Sequence, residues 1–264
     1  MVATRDASRD VGVASHPEGP VPAPADLTAL ADDVRMDDPT STPPAVSEVS
    51  HRDPTGRRDP DRPIAAFDFD GTITRRDTMM PFLRSLAGTR RLAGAAIADL
   101  PRLALVGLRI GDREAAKARM LRRLLAGRDD RDVRAAGRAH AAAVLAREIR
   151  ATARERVEWH RAREHELVIV SASLDVYLDV IGPELGFDEV VCTRLESRDG
   201  VMTGAMVGGN CRGQAKLTRL QSAYPRLAER ELWAYGDSAG DRALLAAADH
   251  AFWMTDRGQL RAIH

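Results

Sequence analysis

The sequence predicts an α/β fold: a Rossmann-like parallel sheet flanked by helices, with an all-helical cap inserted after the first motif strand. Three observations predict it. Short apolar runs end abruptly in polar residues at Asp68, Ser171 and Asp237, as buried parallel strands do where they meet a site at their carboxyl edge. Segments of helical length and spacing separate these runs. One region, about residues 77–150, is rich in Ala, Leu and Arg and carries no strand signal, so it reads as a helical insertion between two strands.

Composition narrows the class. The chain has 264 residues and is 44% hydrophobic, enough for a substantial core. Lys plus Arg equals Asp plus Glu at 39 each, which excludes a strongly basic nucleic-acid binder on total charge. Two cysteines, Cys192 and Cys211, and no resemblance to a secretory leader make a reducing cytoplasm the expected home. Nothing pairs Cys192, Cys211, His160 or Trp159 into a site, so these are assigned to packing or solvent.

Residues 1–62 are rich in Pro, Ala, Asp, Ser and Thr, with about five more acidic than basic residues. Too little apolar surface is present to offset the entropy of ordering, so a disordered N-terminal tail is expected, with the folded domain at 63–264. Ile64-Ala-Ala-Phe67 is then a central strand running into Asp68-Phe-Asp70-Gly71-Thr72. On a strand, residues two apart share a face, so Asp68 and Asp70 are expected to point into one small volume. Paired carboxylates need a positive partner, which predicts Mg2+ and a positioned lysine. Their chemical use would be a division of labour: Asp68 attacks a phosphorus atom while Asp70 protonates the leaving oxygen and later deprotonates water. Gly71 permits a sharp turn whose amides face an anion.

In the insertion, Asp112 is read as the N-cap of a helix ending at Gly127, with Ala116, Met120, Leu121, Leu124 and Leu125 as its apolar stripe. Further helices are expected at 131–149 and 152–164. Residues 92–110 are the most apolar stretch, but Asp99, Pro101, Arg102 and Arg109 interrupt it, so it is read as a broken pair of core helices and not as a transmembrane span. From Arg84 to Arg163 basic residues exceed acidic ones by about eleven. That excess draws anions towards the cap and, with the apolar stretch, allows peripheral contact with the inner face of a membrane.

Glu166 to Ser173 is the next strand, placing Ser171 where its hydroxyl and the following amides hold a phosphoryl oxygen. Leu174–Leu185 reads as a helix closed by Gly186, and 189–195 with 200–207 as strands joined through Asp199-Gly200. Gly208 to Lys216 is a glycine-rich loop entering a helix; Lys216 near the helix start opposes the macrodipole, which suggests an anion beside it. Leu232–Gly236 is a strand delivering Asp237 as a metal ligand, with Asp241 orienting the site from behind. The last strand is expected at Ala251–Met254.

In order, Asp68-Phe-Asp70-Gly-Thr72, Ser171, Lys216 and Gly-Asp237 with Asp241 resemble the haloacid dehalogenase superfamily. The insertion and Gly-Asp-Ser-Ala-Gly-Asp resemble its phosphoserine-phosphatase-like subfamily IB. The resemblance implies a Mg2+-dependent phosphomonoester hydrolase in which Asp68 forms an aspartyl-phosphate and Asp70 is the general acid/base. Mg2+ would be held by Asp68, the Asp70 carbonyl and Asp237; Ser171, Lys216, Gly71 and Thr72 would bind the phosphoryl group, and Asp241 would support the metal site. Phosphoserine phosphatases follow the serine with two glycines, where this chain has Ala172 and Ser173. Asp77 lies near their amine-reading acid, and Arg113, Lys117 and Arg119 compete for the place of their carboxylate-binding arginine. A phosphorylated small molecule or a lipid head group is the implied partner, with phosphatidylglycerophosphate among the lipid possibilities. Two other readings of the same residues are a phosphoacceptor switch, which would lack the acid at Asp70 and the cap, and a binding protein without catalysis.

Overall fold

A computed structural model describes residues 61–89, 94 and 113–263. Along the chain it places β1 at Ile64–Phe67, an irregular turn at Phe69–Ile73, α1 at Met79–Ala87, α2 at Arg113–Leu125, α3 at Asp130–Arg147 and α4 at Ala151–Arg161. There follow β2 at Glu166–Leu174, α5 at Asp175–Glu184, β3 at Glu189–Arg198, β4 at Val201–Val207 and α6 at Gln214–Ala223. The chain continues through β5 at Leu232–Gly236, α7 at Arg242–Ala246, β6 at His250–Met254 and β7 at Leu260–Ile263. Of the tail assigned to residues 1–62 only Asp61 and Arg62 are described; the rest of it, the N-cap at Asp112 and the apolar stretch 92–110, apart from Gly94, lie outside the described residues.

One sheet takes the order β4-β3-β2-β1-β5-β6-β7. Strands β3, β2, β1, β5 and β6 pair in parallel, and β4 and β7 run antiparallel at the two edges. β1 is buried along its whole length, which is why its four residues are apolar without alternation. Ala65 and Phe67 pack into one layer with Leu121, Tyr177 and Ile181; Ile64 and Ala66 pack into the other with Leu220 and Leu244. Burying each large side chain contributes roughly 1.5–3 kcal/mol. The chain order reverses beside β1, between β2 and β5, which leaves a crevice outside the carboxyl ends of these strands.

Two expectations need correction. Strand β1 stops at Phe67, so Asp68 and Asp70 do not share a strand face; the turn Phe69–Ile73 brings Asp70 round instead. The strand at 250–254 is not the last, because Thr255 N donates to Gln259 O at 2.9 Å and folds Leu260–Ile263 back along it. Three of the four β7 residues are exposed, so no apolar alternation announced this strand.

The chain leaves the sheet layer after Ile73 and returns at Arg150: Arg75 N donates to Glu148 O and Arg150 N to Ile73 O, each at 2.9 Å. Helix α2 lies against β4, where a Cβ on Gly204 would strike the Arg122 backbone. Helix α3 packs on α5, with Gly137 seated on the Val176 carbonyl. The Asp199-Gly200 corner has positive φ at both residues, 49° and 77°, as the tight hairpin requires. His160, Trp159, Cys192 and Cys211 serve packing as expected. His160 is fully buried between His165 Nδ1 (2.9 Å) and Tyr235 Oη (2.7 Å), and the Arg163 guanidinium covers Trp159 at 3.8 Å. Both cysteines are buried. No described helix is long and apolar enough to cross a membrane.

Candidate active site

A cavity of about 240 Å³ opens at the carboxyl ends of the central strands, lined among others by Asp68, Asp70, Ser171, Lys216, Ser238 and Asp241. Each arrives on a different element. Asp68 follows β1, Ser171 sits in β2, Lys216 is in the first turn of α6, and Ser238 and Asp241 follow β5. Gly71, at φ 88°, lets the turn fold tightly against β5, since a Cβ there would run into the Asp237 carboxylate.

Lys216 is the electrostatic centre. Its ammonium is 2% exposed and donates to Asp68 and, at 2.5 Å, to Asp241 Oδ1. Burial disfavours the ammonium, but Asp68 and Asp241 outweigh it and raise the lysine pKa, so Lys216 stays charged. Asp68, Asp237 and Asp241 each bring a carboxylate oxygen to within 4.8 Å of the others. Three carboxylates thus cluster where one ammonium pairs with two of them. Burial, then the neighbouring carboxylates, push the carboxyls of Asp68 and Asp237 above the usual range. That surplus of negative charge and an all-oxygen donor set suit a hard divalent cation such as Mg2+.

Asp70 faces the same cavity from the turn. Its Oδ1 accepts from Thr78 N at 3.0 Å and Thr78 Oγ1 at 2.7 Å, and its Oδ2 accepts from Ser173 Oγ. Burial raises its pKa to about 6 although these bonds oppose the rise, so near neutrality it both holds and releases a proton. Ser171 is buried, and its Oγ accepts from Ser173 N at 3.0 Å. Asp241 is fully buried and holds two things at once: Lys216, and the turn after β5, through Ser238 N at 2.9 Å and Ser238 Oγ at 2.8 Å.

Thr72, expected at the phosphoryl group, stands beside Asp237. It is fully buried and its Oγ1 donates to Asp237 Oδ1 at 3.3 Å, orienting a carboxylate from behind. Gly71 likewise acts here through its close approach to Asp237.

Sequence reasoning gave no site role to Ser173, Thr78, Ser238, Asn210 or Arg212, and left Lys117 one of three competitors. Lys117 lies on α2 and reaches the same cavity, donating to Ala172 O at 2.5 Å and Asn210 Oδ1 at 2.7 Å. Among the described residues no carboxylate pairs with it. Burial lowers its pKa to about 8 against the pull of Asp70. One signal was in the sequence: of 39 basic residues only Lys117 and Lys216 are lysines, and both line this cavity. Asp77 also lines it, its Oδ2 accepting from Met80 N at 2.9 Å at the start of α1.

Comparison with known proteins follows this geometry. Protein CicA of Caulobacter vibrioides is 35% identical over 198 residues, covering 74% of this chain and 87% of that protein. A probable phosphatase of Mycobacterium tuberculosis is 26% identical over 227 residues, covering 83% of this chain and 78% of that protein. The crystal structure of a Bordetella pertussis protein with unknown function shares the fold at a TM-score of 0.62 and 24% identity, covering 71% of this chain and 87% of that one. Residues 65–246, which hold both aspartates of the first motif, Ser171, Lys216, Asp237 and Asp241, match the family described as haloacid dehalogenase-like hydrolase, and the chain belongs to that family.

Proposed function

We propose that the protein is a Mg2+-dependent phosphomonoester hydrolase of the subfamily IB type, working through an aspartyl-phosphate on Asp68. One observation carries the reading: three carboxylates within 4.8 Å of one another, two of them paired with a single buried ammonium, at the carboxyl ends of parallel strands, with a separate acid, Asp70, in the same cavity. Asp68, Asp237 and the Asp70 carbonyl would hold the ion. When bound, it offsets the charge of the carboxylates and of the phosphoryl oxygens, so that an anionic nucleophile can face a phosphate dianion.

The residues divide the work. Asp68 Oδ forms a bond to phosphorus as the bond to the leaving oxygen breaks, and Asp70 gives that oxygen its proton. Water then bonds to phosphorus, Asp70 takes a proton back, and the bond to Asp68 breaks to release phosphate. Lys216 and Ser171, which line the cavity, would hold phosphoryl oxygens, and Asp241 keeps Lys216 in place. Asp70 sets this site apart from a phosphoacceptor switch, because a base beside the phosphoaspartate shortens its life.

The helices between β1 and β2 act as a cap, and their Lys117 meets the part of the substrate beyond the phosphate. The polar side chains that line the cavity, Asp77, Lys117, Asn210 and Arg212 among them, suit a small, polar leaving group. Phosphoserine is one candidate of this size, although Ala172-Ser173 departs from the glycine pair of phosphoserine phosphatases. A panel of phosphoserine, glycerol phosphate and phosphatidylglycerophosphate, each with Mg2+ and with EDTA, tests the reading. Mg2+-dependent phosphate release from a small ester supports it, and release undiminished by EDTA counts against it.

A further inference from the structure

We propose that Ser173, together with Thr78, is the positioning residue that aims Asp70 at the reacting oxygen atoms in both halves of the reaction. The proposal rests on the phosphatase reading of the same site.

Asp70 sits in the turn after β1, not on the strand, so no ladder of backbone bonds fixes its direction. The terminal torsion of a carboxylate is soft, and an unheld Asp70 would swing. Here each oxygen is held separately. Thr78, where the chain enters α1, takes Oδ1 with both its amide and its hydroxyl; Ser173, from β2, takes Oδ2. Both residues are 2% exposed, and the fully buried Tyr177 backs Thr78 with its Oη 3.3 Å from Thr78 Oγ1.

The local fold explains why Ser173 can do this. The register between β2 and β3 shifts between Ser171 and Leu174, an irregularity of the kind that redirects side chains. Ser173 N donates to Ser171 Oγ across the bend, and both serines line the cavity. Accepting that bond leaves the Ser171 O–H to donate to a phosphoryl oxygen, and Ser173 is turned towards the acid.

A hydroxyl is the right group for this place. Asp70 must be an acid when the leaving oxygen departs and a base when water attacks. A hydroxyl donates to the carboxylate in one state and accepts from the carboxylic acid in the other by rotating its O–H, whereas an ammonium only donates. Ser173 can therefore hold Asp70 through both states without moving its heavy atoms.

The test compares Ser173→Ala, Ser173→Gly and Ser173→Thr with the parent protein on one active small phosphoester. Alanine and glycine are expected to lower kcat by about tenfold or more while KM stays within about twofold, since ground-state binding does not use the clamp. On an ester whose leaving group needs no proton, such as an activated aryl phosphate, the fraction of protein carrying phosphate at steady state should rise, because attack on the phosphoenzyme still needs the aimed base, and threonine should restore most of the rate. Alanine with kcat within about twofold of the parent and no rise in phosphoenzyme overturns the proposal. So does a threonine variant as impaired as alanine with both melting lower, which assigns Ser173 to packing. Should the parent hydrolyse nothing, the function reading fails by itself, and the clamp is still read by hydrogen exchange at the Thr78 amide. Faster exchange in Ser173→Ala supports the clamp; unchanged exchange overturns it.

Discussion

The floor of the cavity and its wall are built on different terms. The floor comes from strand ends and the first turn of α6: Asp68, Ser171, Lys216 and Asp241 are all buried, and every charge has a charged partner within reach. The wall comes from the segment that leaves the sheet layer after Ile73 and returns at Arg150. Asp77 there is exposed, and Lys117, half-buried, is held only by neutral oxygens among the described residues. A closed set of charges can serve one reaction and little else. A cation that spends only part of its bonding on the protein has some left for a substrate. The difference assigns chemistry to the floor and selectivity to the wall, and changes on the two sides should separate kcat from KM.

The largest effect is expected from Asp68→Asn, which removes the nucleophile: turnover should fall by about four orders of magnitude or more with the circular dichroism spectrum unchanged. Next is Lys216→Met, which leaves the buried carboxylates of Asp68 and Asp241 without their cation and should cost roughly 3–5 kcal/mol of stability in EDTA along with activity. Denaturant unfolding with and without Mg2+ checks this: the ion should recover more stability in the variant than in the parent, and equal recovery in both would mean that Lys216 does not share its carboxylates with a metal.

On the wall, Lys117→Met should raise KM by about tenfold and leave kcat within about threefold. Because the Lys117 pKa is lowered to about 8, its ammonium is lost as pH rises through that value, so the parent's KM should climb above pH 8. The variant should show no such climb. A fall in kcat at constant KM would place Lys117 with the floor.

The smallest effect lies away from both regions. Burial, then His165, lowers the His160 pKa to about 3 from an ordinary 6.5. The unfolded chain therefore binds a proton below pH 6.5 that the folded one refuses, and stability falls as pH drops from 6.5 towards 3. The loss should reach about 1–2 kcal/mol by pH 5, allowing for water near the ring. Unfolding midpoints for the parent and His160→Gln between pH 7 and 5 check it: the parent should lose more.

The same contrast explains what could be read from the sequence. Asp68, Ser171 and Asp237 announce themselves because an apolar run ending in a polar residue is a local pattern, and it marks the strand end wherever the chain goes. Thr78 and Ser173 acquire meaning only when β2 is brought beside the turn after β1, and no run of neighbours records that approach. The bond from Thr72 to Asp237 is hidden for the same reason, since the two are remote in sequence. Lys117 was marked by composition, as a lysine among arginines, and not by pattern. Strand β7 escaped because it has one open face and pairs only with β6.

The central claim is a covalent phosphoaspartate on Asp68 that Asp70 helps to hydrolyse. The most direct measurement is acid quenching of the Asp70→Asn variant with Mg2+ and a radiolabelled phosphoester that the parent turns over, followed by peptide mapping. The account predicts acid-stable, hydroxylamine-labile label on the peptide containing Asp68, at a higher level than in the parent and absent from Asp68→Asn. Label on another residue, or turnover by the parent with no trapped phosphate in either protein, would contradict it.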